Sequence, residues 1–270
     1  MSEQKIAFLF PGQGSQAVGM GKDLAEKFNV ARDTFAEADA ALSYSLSKLC
    51  FEGPAEQLKQ TEFTQPAIFA VSMAAYRVLA SRGIEPQIAA GHSLGEYAAC
   101  AAAGVMSFAD AIRALRSRGQ FMQEAVPEGQ GAMAAILGMD ADAVRAVCEA
   151  AVKESHEVVS PANLNSPEQI VISGSTPGVA RAGEMAKERG AKKVVPLQVS
   201  APFHCALMQP AQDRLADVLK AIKVHDPRFP IVANVTADVT KDGGRERDLL
   251  VRQVTAPVRW VESIRTMIDE

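Results

Sequence analysis

Ser93 stands in Gly91-His92-Ser93-Leu94-Gly95, between the apolar run Ile88-Ala89-Ala90 and an alanine-rich stretch from Glu96 to Met106. A Gly-x-Ser-x-Gly set between a strand and a helix lifts a serine hydroxyl clear of a sheet as a nucleophile. The turn is so sharp that a Cβ at either flanking position would clash, and the helix start beyond it aims backbone N–H groups at a developing oxyanion. The chemistry this predicts is acyl transfer through a covalent serine ester.

Such a serine needs a base, and the chain has four histidines: His92, His156, His204 and His225. His92 adjoins Ser93, so strand alternation turns its ring away from the hydroxyl. His156 and His225 sit in polar runs and read as surface residues. His204 ends Ser200-Ala201-Pro202-Phe203-His204, where a strand returns toward the serine's part of the chain, and it is the candidate base. Arg118 is the third candidate. On a predicted helix from Ala109 to Glu124, Ala111, Leu115, Phe121 and Met122 form an apolar face with Arg118 near its centre, while Arg113 and Arg116 point to solvent. A guanidinium on a buried face calls for a carboxylate, either an acid of this chain or the free acid of a substrate.

The elements that must position these groups follow from hydrophobic periodicity. Strand Ile6–Phe10 leads into the loop Pro11-Gly12-Gln13-Gly14-Ser15-Gln16, which lacks the third glycine or the Gly-Lys-Ser/Thr of nucleotide sites and reads as a tight turn offering backbone donors. One amphipathic helix is expected through Leu24, Phe28, Ala31 and Phe35, and a buried helix over Pro66–Ser81. From Gly131 the order is strand 132–137, helix 142–153, strands 158–162 and 169–173, helix 179–189 and strand 193–199. That βαββαβ run is a ferredoxin-like unit. The fold expected is therefore an α/β protein, a large subdomain of residues 1–128 and 200–270 with a small subdomain of residues 129–199 inserted. After the insert come a helix over 206–222, a strand over 231–235 and a terminal helix over 261–268.

Composition narrows the classes. The chain has 270 residues, 48% hydrophobic and 22% charged, enough for a large core and ordinary for a globular enzyme. A net charge of -4 gives no general attraction for nucleic acid or anionic membranes, so neither is expected as a partner. The apolar run at the N-terminus is too short for a signal peptide, and the stretch Tyr97–Met106 falls well short of the roughly 18 residues of a membrane span, which leads to a cytoplasmic expectation. Cys50, Cys100, Cys148 and Cys205 show neither Cys-x-x-Cys pairing nor zinc spacing, so they read as buried thiols, with no metal site and no disulfide.

Phe10-Pro11-Gly12-Gln13-Gly14-Ser15-Gln16, Thr64-Gln65-Pro66-Ala67, Gly91-His92-Ser93-Leu94-Gly95-Glu96, Arg118-Gly119 and Ala201-Pro202-Phe203-His204 together resemble the malonyl-CoA:acyl carrier protein transacylase family, end to end and in its order. The resemblance implies a hydrolase-like α/β subdomain with a ferredoxin-like insertion. It makes Ser93 the nucleophile, His204 its base, Arg118 the clamp on the malonyl carboxylate, and the backbone N–H groups of Gln13 and Leu94 the oxyanion hole. A backbone carbonyl at the position matching Gln253 orients the histidine, and His92 and Asn163 match residues lining the same cleft. The implied partners are malonyl-CoA, consumed as a thioester substrate with no cofactor, and acyl carrier protein; a monomer is expected. Phe203 matches a bulky position that leaves little room for a 2-methyl branch. Arg189, Lys192 and Lys193 are candidates for docking an acidic carrier. The family continues past the position of Trp260 with a further strand, glycine loop and helix, so an uncovered apolar surface is expected in a sequence ending at Glu270. Two other readings remain, a serine esterase or thioesterase and a non-enzymatic domain that keeps only the fold. The acyltransferase domain of a larger synthase is a third, against which the start at Met1 is taken to speak.

Overall fold

The computed structural model describes residues 5–199 and 201–270, so residues 1–4 and Ser200, which opens the stretch ending in His204, lie outside it. In chain order the elements are β1 (Ala7–Phe10), α1 (Lys22–Lys27), α2 (Asn29–Leu42), α3 (Leu46–Glu52), α4 (Ala55–Leu58), α5 (Thr61–Ala80), β2 (Ile88–Gly91), α6 (Gly95–Ala103) and α7 (Phe108–Glu124). There follow β3 (Gly131–Leu137), α8 (Ala141–Ser155), β4 (Val159–Ser166), β5 (Gln169–Ser175), α9 (Thr176–Glu188) and β6 (Lys193–Pro196). The chain closes with a 3-10 turn (Ala206–Met208), α10 (Gln209–Lys220), β7 (Ile231–Val232), β8 (Val239–Thr240), α11 (Gly243–Arg252) and α12 (Trp260–Asp269).

Two sheets result. The first has the order β1-β2-β7-β8, with β1, β2 and β7 parallel and Phe10 paired to Gly91, so the glycine loop and the serine turn leave the same edge side by side. The second has the order β4-β5-β3-β6 and is antiparallel throughout, the strand arrangement of a ferredoxin-like unit. Each sheet has its own apolar packing: Phe69, Ile112 and Leu115 belong to the core around the first, and Ile136, Ile170 and Ile172 to that of the second. Val258 ties the two together, since its N–H donates to Ala162 and its carbonyl accepts from Leu164.

Several boundaries differ from expectation, each for a local reason. The helix expected through Leu24 to Phe35 breaks at Phe28, which is extended (φ -129°) and splits it into α1 and α2. The helix expected from Pro66 begins at Thr61. Pro66 cannot donate to the Glu62 carbonyl, and Arg116 Nη1 supplies that missing donor at 3.2 Å. Arg116 is thus not a solvent-facing residue: it pairs with Glu62 at 2.8 Å and lies over the Phe63 ring. α6 stops at Ala103 because Gly104 takes a left-handed cap (φ 82°). The expected helix over 206–222 is a 3-10 turn followed by α10, the strand over 231–235 is two residues long, and α3, α4, β8 and α11 are elements the periodicity did not predict. Among the described residues no helix is long and apolar enough to cross a membrane. At the outer edge of β1, Leu9 is 53% exposed beside a groove of about 310 Å³ lined by Phe8, Val71, Ala75 and Leu79.

Candidate active site

Backbone crowding at the β2–α6 turn explains its glycines. A Cβ on Gly91 would fall 1.9 Å from the Gly95 carbonyl, and one on Gly95 would fall 2.4 Å from the Phe10 carbonyl. Between them Ser93 sits at φ 53°, a left-handed conformation costly for a side-chain-bearing residue and held here by its surroundings. Asn234, fully buried just after β7, does much of the holding. Its Oδ1 accepts from the Ser93 backbone N–H at 2.7 Å and its Nδ2 donates to the Gly91 carbonyl at 2.7 Å.

The hydroxyl presented by this turn meets an imidazole. Ser93 Oγ lies 2.8 Å from His204 Nε2, and His204 Nδ1 lies 2.8 Å from the Gln253 carbonyl oxygen. A carbonyl only accepts, so the proton is on Nδ1 and Nε2 is left as the acceptor for the serine proton. His204 is 3% exposed, and burial together with the nearby Arg118 charge lowers its pKa to about 3. The free imidazole is neutral at physiological pH, the form a base needs.

Arg118 enters from α7 and is 1% exposed. Gly119 lets α7 close on α5, because a Cβ there would be 2.7 Å from the Thr61 carbonyl. The close approach brings Gln65 within reach: Arg118 Nη1 donates to Gln65 Oε1 at 2.8 Å, and Nη2 donates to Gln253 Oε1 at 2.8 Å and to Ser93 Oγ at 3.0 Å. Its Nε has no partner among the described residues, and no carboxylate there forms an ion pair with it. The guanidinium also lies over the Tyr97 ring, 5.8 Å from its centroid. A buried cation held by neutral oxygens beside the nucleophile can take a carboxylate without first breaking an ion pair.

A cavity of about 430 Å³ opens onto these groups and is lined among others by Gln13, His92, Met133, Asn163 and Phe203. Gln13 follows β1, with its side-chain amide 3.3 Å from Thr61 Oγ1. Leu94 is the N-cap of α6 and is 1% exposed. The Nε2 of His92 lies 2.9 Å from Asn165 Oδ1 and its ring packs edge-on against Trp260, so it is engaged apart from the Ser93–His204 pair; burial lowers its pKa. Asn163 lines the cavity from β4. His156 and His225 are exposed. All four cysteines are free and buried; burial raises the thiol pKa of Cys50 and Cys148 to about 12 and moves Cys100 and Cys205 upward as well. No cluster of described residues has the make-up of a metal site. Sequence reasoning gave no role to Asn234, to Gln65 within its quoted motif, or to the Gln253 side chain. All three act through contacts across 53 to 160 positions of chain, which no local spacing records.

Comparison with known proteins places this geometry among relatives. The family model described as "Acyl transferase domain" matches residues 7–270. The chain is 51% identical to the malonyl CoA-acyl carrier protein transacylase of Bacillus subtilis, over 98% of this chain and 84% of that protein. It is also 51% identical to the protein of that name from Escherichia coli, over 97% of this chain and 85% of that one. The structure of an acyl carrier protein S-malonyltransferase from Vibrio cholerae superposes with a TM-score of 0.96 at 49% identity, covering 98% of this chain and 87% of that one. A type II PKS acyl-carrier protein in complex with its malonyl-transacylase matches with a TM-score of 0.95 at 47% identity, covering 98% and 86%.

Proposed function

The chain belongs to the malonyl-CoA:acyl carrier protein transacylase family, and from that premise we propose that Ser93 carries the malonyl group between two thiols. The enzyme moves malonyl from coenzyme A to the phosphopantetheine thiol of acyl carrier protein. His204 Nε2 takes the Ser93 proton as Oγ attacks the thioester carbonyl, then gives it to the departing coenzyme A thiol, leaving malonyl-Ser93. In the second half the carrier thiol loses its proton to His204 and attacks the ester, and Ser93 recovers a proton as it leaves. Both tetrahedral oxyanions meet the backbone N–H groups of Gln13 and Leu94. Arg118 clamps the malonyl carboxylate through both halves, which positions the ester for the carrier thiol.

The observation that supports this best is the pair of contacts on Ser93 Oγ, 2.8 Å from His204 Nε2 and 3.0 Å from an Arg118 that has no carboxylate partner among the described residues. An esterase reading fits less well, because the acceptor behind His204 is the Gln253 carbonyl, where a triad would have an acid. His92 and Asn163 shape the substrate side of the cleft, and Phe203, 8% exposed, limits the acyl end to an unbranched malonyl group. The reading extends to a monomer in the cytoplasm, divided as residues 1–128 with 200–270 and residues 129–199, with Arg189, Lys192 and Lys193 meeting the carrier. Incubating the full chain with malonyl-CoA is expected to add one malonyl group to Ser93 by intact mass spectrometry, and none to a Ser93→Ala variant. An unmodified wild-type chain refutes the proposal.

A further inference from the structure

Beneath the serine turn lie two fully buried acids that the transfer reaction does not use. Glu96 on α6 and Glu246 on α11 are each 0% exposed. Glu96 Oε2 accepts from the Gln253 side-chain amide at 2.6 Å and from the Asn234 backbone N–H at 3.2 Å, while Glu246 Oε1 accepts from Cys100 Sγ at 3.4 Å. The other oxygen of each, Glu96 Oε1 and Glu246 Oε2, has no donor among the described residues, and Cys100, one turn beyond Glu96 on α6, holds Glu246 against the same helix face, so the two carboxyl groups are neighbours. Two carboxylates meeting there would set desolvated lone pairs against each other and repel; one proton between them answers both oxygens.

The charge left on such a pair has a direction to act in. Among the described residues, the charged or titratable groups acting on it are Tyr97, Cys100, Arg118 and Arg245; Arg118 is buried and Arg245 exposed. Gln253 stands between: its Nε2 donates to Glu96 at 2.6 Å and its Oε1 accepts from Arg118 at 2.8 Å, so its amide dipole aligns with the field from acid to base. We propose that Glu96 and Glu246 share a single proton and that the one negative charge they keep is the resting counter-ion of Arg118, relayed through Gln253. The arrangement steadies a buried cation while leaving only neutral contacts for a substrate carboxylate to displace, where a directly bonded acid would have to be expelled. Glu96 and Glu246 are positioning residues, since the same Gln253 also orients His204 through its backbone carbonyl. Burial and the neighbouring carboxylate both push Glu96 well above the usual carboxylate range, in keeping with a proton held there. The proposal rests on Arg118 being the carboxylate clamp.

Infrared spectra of the full chain in heavy water at neutral pH are expected to show one C=O stretch from a buried protonated carboxyl group. It should vanish in Glu96→Gln and in Glu246→Gln and persist in Ser93→Ala. Each single variant keeps one ionised acid, but the double variant keeps none, so its melting temperature is expected to fall at least ~4 °C below the sum of the single shifts. No protonated-carboxyl band in the wild type, or a band surviving both substitutions, overturns the shared proton. An additive double variant overturns the counter-ion. Neither readout depends on turnover, so an unmodified Ser93 would count against the proposed reaction and leave these two results standing.

Discussion

At the residue scale, the proposal turns on Arg118, buried beside Ser93 as the carboxylate clamp. Its three hydrogen bonds go to uncharged oxygens, so on the proposed reading a malonyl carboxylate displaces neutral contacts and gains a charge-assisted pair. Replacing Arg118 with alanine is expected to lower kcat/KM for malonyl-CoA by about 10²-fold or more, the range for deleting one partner of a buried charged pair. The same variant should lose far less with acetyl-CoA, as measured by thioester transfer to the carrier. His204 carries a second prediction. With its folded pKa at about 3 and its unfolded value near 6.5, the unfolded chain binds the extra proton first as pH falls. The stability linked to this group is therefore intact above about pH 6.5 and is lost progressively toward pH 3. Because the base stays neutral across that span, the rate of Ser93 acylation is expected to change by less than about twofold between pH 7.5 and 5.5, and a limb near 6.5 in the stopped-flow profile would contradict it. Ser93, His204 and Arg118 were legible in sequence because a turn motif, a return strand and a misplaced charge each leave a local mark. Glu246 leaves none, since an acid in Gly243-Gly244-Arg245-Glu246 reads as surface until α11 is folded against α6.

At the scale of elements, the serine turn depends on a strand that follows it by some 140 residues. Asn234 clamps both the Ser93 N–H and the Gly91 carbonyl, groups that the left-handed turn takes out of the sheet's own ladder. An Asn234→Ala variant leaves both without their partner in a buried place, and a loss of about 2–4 kcal/mol in chemical denaturation is expected, with slower acylation of Ser93. A denaturation midpoint equal to that of the wild type would show that the turn holds itself. Helix ends were less legible than helix cores for similar reasons. Pro66 marks a helix start by its lost N–H, but Arg116, fifty residues on, supplies the missing donor and lets α5 begin five residues earlier. The break at Phe28 falls inside an apolar pattern that continues unbroken, so periodicity alone passes over it.

Across the whole molecule, the proposed catalytic groups, Ser93 and Arg118 before the inserted unit and His204 after it, meet at a cavity that Met133 and Asn163 of the second sheet also line. The βαββαβ order was readable because each element has a strong period of its own, and the antiparallel pairing follows from it. How the two sheets face each other was not readable, since it depends on single contacts such as those of Val258 with β4. For a chain of net charge -4, the proposed docking of the carrier calls for a local basic surface. Arg189 and Lys193 are exposed at the end of α9 and the start of β6, while Lys192 is engaged with Glu168 at 3.0 Å. Reversing Arg189 and Lys193 together to glutamate is expected to raise KM for the carrier several-fold, more so at low ionic strength, and to leave the rate of Ser93 acylation by malonyl-CoA unchanged.

The four sequestered sulfur atoms have a practical corollary. With every thiol of the protein buried and held protonated, a chromogenic disulfide such as Ellman's reagent should find nothing to titrate on the native enzyme, and four equivalents after guanidinium unfolding. Released coenzyme A can then be counted in real time against a silent protein background, so the first turnover, one equivalent of thiol for each serine acylated, becomes directly visible as a burst.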